Sequence, residues 1–136
     1  MPELVEFKIS YNYPVREIGI VLETILTNGD TSVDVRARLD TSSSFCIFRR
    51  DLAEELGFVV ETGIPLEIGT ATGSFRVFGF EVELTVLETK TVSTVYFAES
   101  EYFDRNVLGR TGFLDRVKIG IIDPESLLLL SKYEQD

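Results

Sequence analysis

Apolar and polar positions in this chain alternate mostly at a period of two, broken by short polar turns, and that pattern predicts strands. Ser32 to Leu39 alternates throughout: Val33, Val35, Ala37 and Leu39 fall on one face, and Asp34, Arg36 and Arg38 on the other. The stretch before it, Arg16 to Leu26, is rich in β-branched and aliphatic residues, and Asn28-Gly29-Asp30 between the two is a tight-turn signal. Together they predict a hairpin over Arg16 to Leu39 that delivers Asp40 at its end. Phe45 to Phe48 ("FCIF") is a short apolar run of the kind a buried strand shows.

The run Asp51 to Gly57 predicts one or two helical turns, with Asp51 placed to cap the free N–H groups and Gly57 suited to a left-handed stop. From Ile64 to Phe97 the pattern returns to strands. Thr72-Gly73-Ser74 breaks it as the tip of a long hairpin, and Glu88-Thr89-Lys90 marks a second turn before a strand at Val92 to Phe97. Glu99 to Arg105 is polar and loop-like. A helical turn is expected near Phe113-Leu114-Asp115, and Val117 to Asp123, Pro124-Glu125 and Ser126 to Tyr133 predict a final hairpin. Roughly eight strands and two short helices, with no linker-like tract, predict one all-β domain over residues 1–136, its core about 16–133, built as a small barrel or sandwich.

Composition narrows the chemistry. At 136 residues and 44% hydrophobic, the chain can bury a core without disulfides. Its one cysteine, Cys46, excludes an intramolecular disulfide and fits a reducing compartment, so a cytoplasmic location is expected. Neither a signal peptide nor an apolar run long enough to span a membrane is seen. A net charge of −10 repels phosphate backbones and anionic lipid, so neither nucleic acid nor membrane is an expected partner. Without a single histidine, Ser/His/Asp and Cys/His catalysis are excluded, and with one Cys a metal site is not expected either. Catalysis, if present, runs on carboxylates, Lys, Tyr, Cys46 or hydroxyls.

Several stretches carry candidate chemistry. Asp40-Thr41-Ser42 reads first as a turn, since Asp and Ser hydrogen-bond locally to the backbone. Its setting is unusual, because apolar residues flank it closely on both sides. A carboxylate near the core must be hydrogen-bonded, paired or protonated, and such groups are where functional pKa shifts arise. Arg36, Arg38, Arg49 and Arg50 make a basic cluster, expected on so acidic a chain to be solvated residues paired with carboxylates. Cys46 is expected in the core. "GTATG" (Gly69 to Gly73) lacks the lysine and following helix of a phosphate loop, so a hairpin tip is expected.

"RARLDTSSSFCIF" followed by "RRDLAEELGF" resembles the active-site segment of the retropepsin-like aspartic proteases, the single-domain, homodimeric relatives of pepsin. A second family signature, a hydrophobic-hydrophobic-Gly step, is matched by Val107-Leu108-Gly109 after Asn106, and the glycine-containing flap hairpin by Ile68 to Gly79. The three features occur in the family's order and span about residues 16 to 123. The resemblance implies a small closed acid-protease-type barrel with a flap and one or two short helices. It implies Asp40 as the catalytic carboxylate, paired with its symmetry mate in a homodimer, and Thr41 as a brace across the dimer axis. The flap at Thr70, Ala71, Thr72, Gly73 and Ser74 would close over an extended peptide, and no cofactor is implied.

The family usually has glycine where this chain has Ser42. That departure keeps two readings in play, an active endopeptidase and a module of the same fold that binds peptide or dimerises without turnover. Ser126 to Leu130 is likewise either an intrachain strand or a dimer-forming one, and its continuous aliphatic run favours the former.

Overall fold

A computed structural model describes residues 4–134, so residues 1–3 and 135–136 of the expected domain lie outside the described residues. The chain runs through β1 (Ile9–Asn12), β2 (Val21–Asn28), β3 (Thr31–Leu39), β4 (Ile47–Phe48), α1 (Arg50–Glu55), β5 (Ile64–Thr70), β6 (Gly73–Val86), β7 (Thr89–Ala98), β8 (Val107–Leu108), β9 (Val117–Ile122) and β10 (Leu127–Lys132). Single 3₁₀ turns lie at Val60–Thr62, Leu114–Arg116 and Asp123–Glu125. The fold is all-β in character, and no described helix is long and apolar enough to cross a membrane.

The β2–β3 hairpin forms as its alternation requires. Val35 and Ala37 are buried while Asp34, Arg36 and Arg38 are exposed. In β2 the inward set is Leu22, Thr24 and Leu26, with Ile25 turned outward, so the apolar run there overstates how much of the strand is core. The strand begins at Val21 rather than Arg16, because residues 16–19 form a bend with Gly19 at φ +80°. Asn28 pairs with Thr31, so the two-residue loop is Gly29-Asp30, and Gly29 supplies its positive φ (+60°).

The main sheet runs β2-β3-β8-β4-β7-β6-β5, and β2 also pairs with β6. The order therefore returns on itself, a ring compatible with the small barrel the sequence implies, with β5 left outside as the partner of β6. The ring encloses Leu22, Leu26, Ala37, Phe48, Leu84, Val95, Phe97 and Leu108 in one apolar cluster. A second sheet, β1-β10-β9, closes one end by burying Leu128 and Leu130 in that cluster. The aliphatic run after Ser126 is thus an intrachain strand, registered with β1 from Ile9↔Leu130 to Asn12↔Leu127. β1 itself was not expected, although Ile9 and Tyr11 alternate with Ser10 and Asn12.

Three local expectations need correction. Asp51 does not cap α1; its carboxylate accepts from the Arg49 guanidinium, and the helix has no side-chain cap. The stop at Gly57 does form: Gly57 N–H donates to Glu54 O and Phe58 N–H to Ala53 O, with Gly57 at φ +85°. The β5–β6 hairpin turns at Ala71-Thr72, because Gly73 already pairs with Thr70. The β6–β7 hairpin turns at Leu87-Glu88, one position before the expected site, because Val86 already pairs with Thr89.

That last turn puts two non-glycine residues at positive φ, Leu87 at +46° and Glu88 at +72°. Each costs about 1–2 kcal/mol against glycine there. Leu87 packs against the core, whereas Glu88 does not. Replacing Glu88 by Gly is expected to stabilise the protein by about 0.5–1 kcal/mol after the entropy of the unfolded glycine is counted. Thermal unfolding should show a rise in Tm of about 3 °C; a fall would contradict the turn geometry.

Candidate active site

Asp40 follows directly on β3, where the chain is still bonded to β8. Its N–H donates to Leu108 O at 2.9 Å, and its own carbonyl accepts from Ser43 N–H at 3.2 Å, which turns the chain. The carboxylate is only partly exposed. One oxygen, Oδ1, accepts from both the Ser42 backbone N–H (3.0 Å) and the Ser42 hydroxyl (2.6 Å). The Ser42 hydroxyl holds the Asp40 carboxyl below the usual carboxylate range; partial burial opposes this, and the Ser42 and Ser43 N–H groups and the Arg38 charge reinforce it. Serine in the glycine position therefore acts on the acid itself. Thr41 beside it is exposed.

The Asn106 to Gly109 motif lies against this loop. β8 pairs in parallel with β3 (Arg38↔Val107, Leu39↔Leu108) and antiparallel with β4 (Ile47↔Val107). Asn106 ties in the start of α1, its Oδ1 accepting from Arg49 N–H at 3.0 Å. After β8, Arg110 N–H donates to Ser43 O and Thr111 N–H to Ser44 O, each at 2.9 Å. Gly109 sits where the two segments touch: a Cβ there would fall 2.2 Å from Phe45 O and 2.7 Å from Ser43 O. Only glycine fits, for want of space and not because of its φ.

Asp40 opens onto a cleft of ≈ 360 Å³ between its own loop and β5. Ser42, Phe45 and Ile47 line one wall; Glu67, Ile68 and Gly69 of β5 line the other. The expected flap residues Thr70, Ala71, Thr72, Gly73 and Ser74 form the exposed hairpin tip beyond the cleft. Ile68 and Gly69 fall within the hairpin matched to the flap, although the expected substrate contacts were at its tip; Glu67 carried no signal beyond a strand pattern.

The other candidates resolve into supporting structure. Cys46 is fully buried and burial pushes its thiol up to about 12, so it carries no nucleophile; its Sγ accepts from Gly109 N–H at 3.4 Å. Arg36 pairs with Glu17 and Glu23, Arg49 with Asp51, and Arg50 with Glu61. Among the described residues no group of three Asp, Glu, Cys or His side chains is placed to hold a metal ion.

No protein-family model matches the chain. No curated protein matches it either. Its fold does match solved structures. A retropepsin-like aspartic protease from Rickettsia conorii superposes with a TM-score of 0.66 at 18% identity, covering 89% of this chain and 96% of that one. The EIAV protease complexed with the inhibitor HBY-793 superposes at 0.54 and 15% identity, covering 71% of this chain and 86% of that one. The chain has a retropepsin-like fold.

Two outcomes follow from the loop geometry. Gly109→Ala should destabilise the protein by about 3 kcal/mol, read from denaturant unfolding, because backbone carbonyls cannot yield as a side chain can. Ser42→Ala should raise the Asp40 pKa, read by carboxyl NMR titration. The depressed pKa stabilises the fold above the unfolded-state value, and that contribution is lost as pH falls through the folded value. The stability difference between wild type and Ser42→Ala should therefore shrink as the solution is acidified through that range; a difference independent of pH would remove the Asp40 link.

Proposed function

We propose that this chain is an aspartic endopeptidase that works as a homodimer on extended peptides. The observation that carries the reading is Asp40: a carboxylate held by the Ser42 backbone N–H and hydroxyl in a retropepsin-like fold, facing a cleft walled by β5. The R. conorii neighbour, described as a retropepsin-like aspartic protease, supports it.

One chain supplies one such carboxylate, so the chemistry needs two protomers. With Asp40 of each near the two-fold axis, the pair shares one proton, since two adjacent carboxylates do not both ionise easily. The ionised Asp40 takes a proton from a water, whose oxygen attacks the peptide carbonyl carbon. The protonated Asp40 gives its proton to the carbonyl oxygen. Collapse of the tetrahedral species breaks the C–N bond as the nitrogen takes the proton that the first Asp40 removed from water, and the second Asp40 regains a proton from a hydroxyl of that species. Neither cofactor nor metal takes part. The exposed Thr41 is available to bond its counterpart across the axis, and the β5–β6 hairpin, with Thr70 to Ser74 at its tip, acts as the flap that covers the peptide and adds strand-like hydrogen bonds.

The Ser42 hydroxyl favours a second reading, a peptide-binding or dimerisation module without turnover, because it stabilises Asp40 as an anion and opposes the shared proton. Incubating the purified protein with unfolded peptides at mildly acid pH separates the two. Wild type should cleave, and Asp40→Asn should lower kcat by about 10³-fold or more. Equal activity in the two proteins removes Asp40 from the chemistry. A strict monomer at micromolar concentration removes the two-carboxylate mechanism.

A further inference from the structure

Beside the Asp40 cleft, on the other side of β8, lies a second groove of ≈ 220 Å³, walled by Arg36, Arg38, Arg105, Glu17, Asp104 and Val107 among others. The pairing register places the two hollows on one surface. Arg38 lies in β3 and Asp40 two positions on, one residue past the strand's end but still bonded to β8 through Leu108 O, so the two side chains start from the same side of the chain. Arg38 is registered with Val107, and Val107 with Ile47, and residues directly opposite in paired strands share a face. Ile47 lines the Asp40 cleft while Arg38 and Val107 line the groove. The Arg38 backbone lies two residues from Asp40, roughly 7 Å along the strand, which is two residues of an extended peptide.

The charges in the groove are unequal. Arg36 and Glu17 neutralise each other at 2.6 Å. Asp104 lies near Arg49 and contributes to that group's charge stabilisation. Neither Arg38 nor Arg105 makes an ion pair among the described residues. Both are nonetheless placed. The Arg38 stem lies across Gly19, where an added Cβ would come within 3.2 Å of its Cδ, and the Arg105 guanidinium sits 5.6 Å from the centre of the Phe103 ring. On a chain of net charge −10, two held and unpaired guanidinium groups next to the candidate catalytic carboxylate are out of keeping with a merely solvated face.

We infer that this groove is a substrate subsite in which Arg38 and Arg105 receive an acidic side chain, so that the substrate carries Asp or Glu within two residues of the scissile bond. A carboxylate there meets two planar donors suited to paired N–H···O contacts. The apolar Val107 side chain between the two hollows packs the stem that carries it. The same arrangement disfavours Lys and Arg in that position.

The inference takes its catalytic readout from the endopeptidase reading, so two measurements are needed. In the first, wild-type cleavage sites in a denatured protein mixture are mapped. Asp or Glu should be enriched at one position within two residues of the cut. For a matched peptide pair differing only as Glu or Gln there, the ratio of kcat/KM values should favour Glu. Arg38→Gln with Arg105→Gln should reduce that ratio about tenfold, and Arg38→Lys should retain part of it. In the second, the same peptide pair is titrated into Asp40→Asn protein, which needs no turnover: the Glu peptide should bind more tightly, and added salt should erode the difference. Cleavage without acid preference leaves the endopeptidase standing and overturns the subsite. Acid-selective binding without any wild-type cleavage does the reverse. Neither cleavage nor selective binding overturns both.

Discussion

The site depends on one close crossing of backbones. The loop after β3 and the segment after β8 run side by side, and Gly109 is the point at which they touch, under the carbonyls of Phe45 and Ser43. β4 and β8 have only two residues each, too few to hold the centre of the ring by ladder bonds alone. The bonds from Asp40 N–H to Leu108 O, Arg110 N–H to Ser43 O and Thr111 N–H to Ser44 O supply the missing order. The position of the Asp40 carboxylate, the course of the serine run and the burial of Cys46 all follow from that contact.

On this frame the electrostatics of Asp40 are set locally. Ser42 donates twice to one carboxylate oxygen, and Arg38 adds a positive charge from the same strand. Each favours the anion, whereas a shared proton in a carboxylate pair requires a neighbour of like charge to oppose it. The proposed enzyme would therefore begin from a more acidic carboxylate than a loop with glycine at that position provides. The hydroxyl is the one feature on which the catalytic and the non-catalytic readings diverge.

The surface around the site repeats this economy of charge. Four of the arginines that looked like a basic patch lie on β3 and at the start of α1, and three of them are neutralised by carboxylates nearby. Arg38 is the exception: its stem lies across Gly19, and it makes no ion pair among the described residues. Of those four arginines, the one that makes no ion pair among the described residues thus lines the groove that adjoins Asp40.

Much of this was legible from residues alone. Period-two alternation determined which face of β3 is buried, and Asn28-Gly29-Asp30 marked the turn that pairs it with β2. Gly57 determined where α1 stops, and the order of the Asp40 triplet, the glycine-bearing hairpin and Val107-Leu108-Gly109 pointed to the fold. These are local or short-range signals, since one strand's faces and one helix's end depend on few neighbours. Tertiary structure decided the rest. Turns at Leu87-Glu88 and Ala71-Thr72 were set by pairing register, which overrode the residues that favour turns nearby. β1 is marked only by four alternating residues and gains its place from β10. The need for glycine at 109, the cleft wall at Glu67 to Gly69 and the meeting of Arg38 with Arg105 in one groove all depend on segments distant in sequence coming close together, and no pattern along the chain encodes such distances.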